Sequence, residues 1–407
     1  MTGIKLLFLW RWMSALCLSI LIFSCSDNND PEPDPEPDES NLVEAIPAGT
    51  WAATQLQLLI QLSGRDINVN FFAHDVDIYR VVYKTTYLED EIEASGLVLL
   101  PKTTAEVPMI SFQHGTIAAQ SDAPSVQTKE SEQVVSYAAL ASMGFITIVP
   151  DMIGFGRSKD IFHPYFIEEP TADAVRDLIM AARALAVQKN INSDDRLFLA
   201  GYSQGGYATM AAHKALESEP LDGVTLVASF PGAGGYDISE MLNYFRGLET
   251  YNDPYYLAYV GMSYKSYYER TDLLSGFFNE PYATRIPSLF DGIKSSAQIN
   301  AQLTNEIAAL VNEDIRLDPA SNPVYGFLSE SFSENSLTDW TPEAPIYLYH
   351  GDADMTVPLE NSNGVYQTLL DNGADPNKLE LIVLPGDHTS AVGPYIEDIV
   401  KKLQEMK

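Results

Sequence analysis

Two hydrophobic patterns alternate along most of the chain. Short, almost wholly apolar runs read as buried strands: "PMISFQHG" (Pro108 to Gly115), "FITIVP" (Phe145 to Pro150) and "RLFLAG" (Arg196 to Gly201). Between them lie longer stretches read as helices, "ESEQVVSYAALASMG" (Glu130 to Gly144), "TADAVRDLIMAARALAVQ" (Thr171 to Gln188) and "GGYATMAAHKAL" (Gly205 to Leu216). The first stops at a glycine, a common helix end. "IYRVVYKTTYL" (Ile78 to Leu88) and "ASGLVLLP" (Ala94 to Pro101) form an opening pair of strands, and "GVTLVASF" (Gly223 to Phe230) adds a sixth. "PIYLYHG" (Pro345 to Gly351) and "LELIVLP" (Leu379 to Pro385) complete eight, with a helix between them and a final helix ending near Lys407. Apolar strands alternating with helices predict an α/β fold, its mostly parallel sheet covered on both faces.

The rhythm breaks from residue 231 to 342. That stretch holds no clear strand but many aromatic residues, as in "YFRGLETYNDPYYLAYVGMSYKSYYER" (Tyr244 to Arg270). Strands on both sides belong to one sheet, so the segment reads as a helical cap inserted after the sixth strand, rather than as a separate domain. Its tyrosines could cover an acyl chain or stack on a sugar or phenolic ring. Core packing explains many of them equally well. The predicted core is then 41–230 and 343–407.

The N-terminus differs in kind. Lys5 and Arg11 precede the apolar run Met13 to Phe23, which is too short to span a membrane stably, and residues 1–24 read as a signal peptide. The run ends in Ile22-Phe23-Ser24-Cys25, which resembles a bacterial lipobox with Cys25 as the lipidated residue. An ordinary secretory signal that happens to contain a cysteine is the alternative. Residues 25–40, "CSDNNDPEPDPEPDES", suit an extended, solvated tether. These features predict an exported protein of the bacterial cell envelope, held at the outer membrane or cell surface by a lipid anchor.

Composition removes several functions. Cys17 and Cys25 are the only cysteines, which leaves no thiol nucleophile, cysteine metal site or disulfide in the processed chain. With 24 basic against 56 acidic residues the net charge is -32, a surface that repels phosphate backbones. Nucleic acid is therefore not an expected partner. Nothing implies a metal or organic cofactor.

The candidate chemistry centres on "FLAGYSQGGYATM" (Phe198 to Met210). Gly201-x-Ser203-x-Gly205 is weak as a motif alone. Here it sits between a predicted strand and a predicted helix, as a nucleophile elbow requires. A serine hydroxyl needs a base. His388 follows the last strand, where its loop emerges on the same side of the sheet as Ser203. His350 begins a glycine turn, His213 lies within a helix, and His74 and His163 carry no supporting context. A base needs an acid to hold its tautomer. Asp352 and Asp354 both follow a strand, and position alone does not separate them.

The order Ser, Asp, His, with the elbow, resembles the α/β-hydrolase superfamily from about Ile78 to Lys407, except for the insertion. "QHGT" and "PDMIGFGRS" after the third and fourth strands are similar too. In many members the acid lies in a His-Gly-x-x-Asp-x-x-Val-Pro segment, which falls here on His350, Gly351, Asp354, Val357 and Pro358. The resemblance thus implies Asp354 as acid, with Asp352 a turn residue. It also implies an oxyanion hole from the backbone N–H groups of Thr116 and Gln204. His114 then shapes its loop, and Asp151 pins its own.

The implied activity is hydrolysis of a small-molecule carboxylic ester by Ser203, His388 and Asp354. The cap layout resembles lidded lipases and esterases, and more loosely secretory lipases. Rivals are a cap-bearing aminopeptidase or an acyltransferase with the same triad. A non-catalytic binding lipoprotein on a hydrolase scaffold is more remote, since such scaffolds usually lose the serine or histidine.

Overall fold

The computed structural model describes residues 41–407. The predicted signal peptide, Cys25 and the tether lie outside the described residues. Nine strands form one sheet: β1 (Leu42–Trp51), β2 (Val76–Tyr87), β3 (Asp90–Pro101), β4 (Val107–Gln113), β5 (Ile146–Pro150), β6 (Ser193–Tyr202), β7 (Thr225–Gly232), β8 (Ile346–Gly351) and β9 (Leu379–Leu384). Their order is β1-β2-β3-β5-β4-β6-β7-β8-β9. β1, β2, β3 and β5 pair antiparallel in succession, and the sheet from β5 to β9 is parallel.

The eight strands expected from the sequence are all present, and β1 is a ninth. It pairs with β2 at the sheet edge, with register shifts around Leu42/Glu44 and Pro47/Gly49. Proline cannot donate to a ladder and is tolerated at such an edge. The helical segment consequently follows the seventh strand in chain order, not the sixth.

Helices cover both faces. α1 (Ala53–Ser63) precedes β2, α2 (Glu132–Ser142) joins β4 to β5, α3 (Glu168–Gln188) joins β5 to β6, and α4 (Gln204–Ser218) follows β6. Ser131 caps α2 by accepting the Val134 N–H. α3 buries Val175, Leu178, Ile179, Ala182 and Leu185 along one stripe, packed with α4 against Val81, Val98, Ile148 and Leu199. On the other face, Leu140 of α2 and Tyr395, Ile399 and Leu403 of the C-terminal helix Val392–Met406 join one cluster with Phe198 and Phe230.

Between β7 and β8 the chain forms helices Ile238–Gly247, Tyr255–Tyr267 and Tyr325–Glu334, with several shorter turns. This segment has its own apolar cluster, including Met262, Phe277, Leu310 and Phe332, continuous with Tyr207 and Met210 of α4. Polar side chains fasten it to the core. Tyr264 Oη donates to Phe166 O (2.9 Å), Ser263 Oγ to Tyr165 O (3.0 Å) and Tyr207 Oη to Asn335 O (2.8 Å). Tyrosine serves here because its ring fills the apolar cluster while its hydroxyl satisfies a buried carbonyl. No described helix is long and apolar enough to cross a membrane.

Candidate active site

Ser203 is the single residue between β6 and α4. Its backbone lies at φ 61°, ψ -123°, a region that costs free energy for any residue with a Cβ. Neighbours lock it there. Ser203 N–H donates to Gly232 O (2.8 Å), and Ser203 O accepts from Gly206 N–H and Tyr207 N–H at 2.8 and 3.1 Å. Gly232 is the last residue of β7, two beyond the strand end expected at Phe230. The flanking glycines answer to backbone contact: a Cβ on Gly205 would meet Gln113 O at 2.0 Å, and one on Gly201 would meet Gly205 O at 2.3 Å. β4, β6 and α4 can approach this closely only without side chains there.

The loop after β9 carries His388 to this turn. His388 Nε2 is 2.9 Å from Ser203 Oγ, and His388 Nδ1 is 2.6 Å from Asp354 Oδ2. With Nδ1–H donated to the carboxylate, Nε2 is left free to accept the serine proton. The structure thus brings together the three residues predicted from sequence. Asp354 is buried, and its Oδ1 accepts the N–H groups of Thr356 (2.9 Å) and Val357 (3.0 Å). Burial pushes its carboxyl up, but hydrogen bonds from His350 and His388, the His388 charge and the Val357 N–H outweigh it and hold the group at about 2. Asp352 faces elsewhere: its Oδ1 accepts Gly386 N–H (2.8 Å), tying the acid loop to the histidine loop.

His350 contributes more than the turn expected of it. Its Nε2 donates to Val357 O (2.8 Å) and lies 3.4 Å from Asp354 Oδ2, while its Nδ1 accepts from Ser362 Oγ (2.7 Å). The buried ring therefore supports both the carboxylate and the loop that holds it. His213 is also buried, between Ser229 and Glu217, and makes no contact with Ser203.

The Gln204 N–H is the first of helix α4, where the macrodipole favours negative charge. Thr116 lies in the loop after β4, its hydroxyl 2.8 Å from Tyr165 Oη. Among the described residues, neither the Gln204 nor the Thr116 backbone N–H donates to a protein acceptor. The Gln204 side chain is buried, its Nε2 2.5 Å from His163 Nε2. His163 Nδ1–H donates to Ile153 O (2.6 Å), so Nε2 must be the acceptor in that pair. Burial lowers His163 to about 3, keeping the ring neutral. Sequence gave no signal for His163, since its partner is distant along the chain. His114 Nε2 lies 3.2 Å from Asp151 O, and the Asp151 carboxylate accepts from Ser95 Oγ (2.6 Å), Ser125 N–H (2.7 Å) and Ser125 Oγ. Both residues organise loops. Asp151 reaches Ser95 and Ser125 rather than Ser203.

Two cavities meet at Ser203. One is an apolar slot into the helical segment, about 780 Å³ including its mouth, between Tyr165, Phe166, Met241, Leu257, Val260 and Phe332. No acidic side chain lines it among the described residues. The other is a wider groove of about 1780 Å³ including the open solvent at its mouth, bounded by α1, α2 and the C-terminal helix, and lined also by Thr116 and His388.

Sheet order, elbow and converging side chains define an α/β-hydrolase fold. Residues 132–271 match the prolyl oligopeptidase family. A Legionella pneumophila protein provisionally assigned as a hydrolase is 26% identical, with 89% of this chain and 97% of that one covered and a TM-score of 0.79. The rice cell wall degrading esterase LipA from Xanthomonas oryzae is 21% identical, with 91% and 100% covered and a TM-score of 0.77. Candida antarctica lipase A is 16% identical, with 87% and 78% covered and a TM-score of 0.62. No curated protein matches the sequence.

Proposed function

We propose that the protein is a serine hydrolase that cleaves carboxylic esters through an acyl-enzyme. The contiguous chain from Ser203 Oγ through His388 to Asp354, opening on an apolar slot, carries this reading. Ser203 Oγ attacks the ester carbonyl as His388 Nε2 takes its proton, and the oxyanion forms against the N–H groups of Gln204 and Thr116. The carbon–oxygen bond to the alcohol then breaks, and His388 returns the proton to the departing oxygen. Water repeats the sequence, releasing the acid and restoring Ser203. Asp354 orients the imidazole and stabilises its cation. The named esterase and lipase of the same fold support the ester class.

The match to the prolyl oligopeptidase family favours a second reading, a serine peptidase with the same triad. An amine-recognising peptidase would need carboxylates near the bound terminus, whereas the slot is aromatic and aliphatic. A fluorophosphonate probe should label the wild type and not Ser203→Ala, with loss of ester hydrolysis in step. Labelling that persists in the variant would refute the nucleophile assignment. Cleavage of peptides but not esters would transfer the protein to the second reading.

We further propose export and lipid anchoring through Cys25, on the strength of the Ile22-Phe23-Ser24-Cys25 run and the acidic tether. Radiolabelled palmitate fed to expressing bacteria should enter the wild type but not Cys25→Ser. Equal incorporation in both would exclude that anchor.

A further inference from the structure

Ser203 borders both cavities, but His388 borders only the groove among the described residues. This asymmetry assigns the two halves of a substrate. In the ester reading, on which this inference rests, His388 Nε2 must hand its proton to the departing alcohol oxygen. The alcohol therefore leaves on the His388 side, and the acyl group points into the slot.

We infer that the groove is a binding site for the alcohol half of the ester, and that this alcohol is extended and apolar. Its walls carry the argument. On the C-terminal helix, Val392, Ile396 and Val400 face the groove at four-residue spacing, a stripe of roughly 12 Å along the axis. Ile60 of α1, Ile67 and Leu140 of α2 line the groove as well. Ile60, Ile67, Val392 and Ile396 remain partly exposed, so apolar surface is still available for burial by a ligand. Arg65, Glu132 and Ser136 lie at the rim, where a polar end could stay in water. A long-chain alcohol would cover the stripe.

The test uses esters of a single short acid with methanol, butanol, octanol and dodecanol, with acid release followed by titration. Wild-type kcat/KM should rise by about tenfold or more from methyl to octyl ester, since each buried methylene adds discrimination. Ile396→Trp and, independently, Ile60→Trp should reduce the octyl-to-methyl ratio by about tenfold, because either indole would occupy the apolar wall on which the chain lies. Val187→Trp, on the exposed outer face of α3, should leave the ratio unchanged. A wild-type ratio near one, or a ratio unaltered in both groove variants, would overturn the assignment. The two readings fail differently. Ser203-dependent methyl ester cleavage without alcohol-length preference sinks the groove assignment alone, whereas no hydrolysis of any ester sinks both.

Discussion

Replacing Asp354 by asparagine should lower kcat by about 10⁴-fold, while Asp352→Asn should leave it within about tenfold of wild type. The amide at 354 would present an N–H or a weaker acceptor to His388 Nδ1, favouring the tautomer that cannot accept the Ser203 proton. Asp352 Oδ1 instead accepts the Gly386 N–H, so its loss loosens a loop contact without altering the imidazole. Steady-state kinetics on any cleaved ester decides this, and equal losses would show that the acid is misassigned. A pH signature accompanies the change. The Asp354 carboxyl is depressed to about 2 from 3.8, so its contribution to stability is complete above 3.8. That contribution fades as pH falls toward 2. The melting-temperature gap between wild type and Asp354→Asn should thus close as pH falls below about 4. A gap that instead widened on acidification would contradict the assigned charge state.

Gly205→Ala should cost about 10²-fold in kcat while retaining the fold. The added Cβ would sit 2.0 Å from Gln113 O, an approach no relaxed structure sustains. The start of α4 or the end of β4 must move by about an ångström, and such misplacement of reacting groups carries losses of that order. Moving α4 displaces Ser203 from His388 and the Gln204 N–H from the oxyanion together. Circular dichroism and kcat, measured on the same preparation, check both halves. Wild-type turnover would show that the elbow tolerates the extra methyl group.

The elbow was legible in sequence because three local signals coincide there: an apolar strand before it, a helix after it, and glycines where backbones touch. The eight strands of the core announced themselves by apolar or alternating runs. β1 did not. "LVEAIPAGTW" interrupts its alternation with Pro47 and Gly49, and no position of this edge strand is fully buried. The choice between Asp352 and Asp354 needed a resemblance, since loop geometry rather than strand position directs each carboxylate. The support that His350 gives Asp354 was half visible, as four residues separate them, but its direction depends on Val357 and Ser362. The contact of His163 with Gln204 joins residues 41 apart in sequence and left no periodic trace. The linings of the slot and groove come from many elements at once, which no local pattern can encode.

The short stretch from His163 to Phe166 is gripped from two sides. Gln204 holds its first residue, while Ser263 and Tyr264 hold the carbonyls of Tyr165 and Phe166. The helix bearing Ser263 and Tyr264 and the side chain of Gln204 are therefore fastened to the same strap. One four-residue stretch thus ties the helical segment above the sheet to the turn that carries Ser203, so a substitution at His163 touches both.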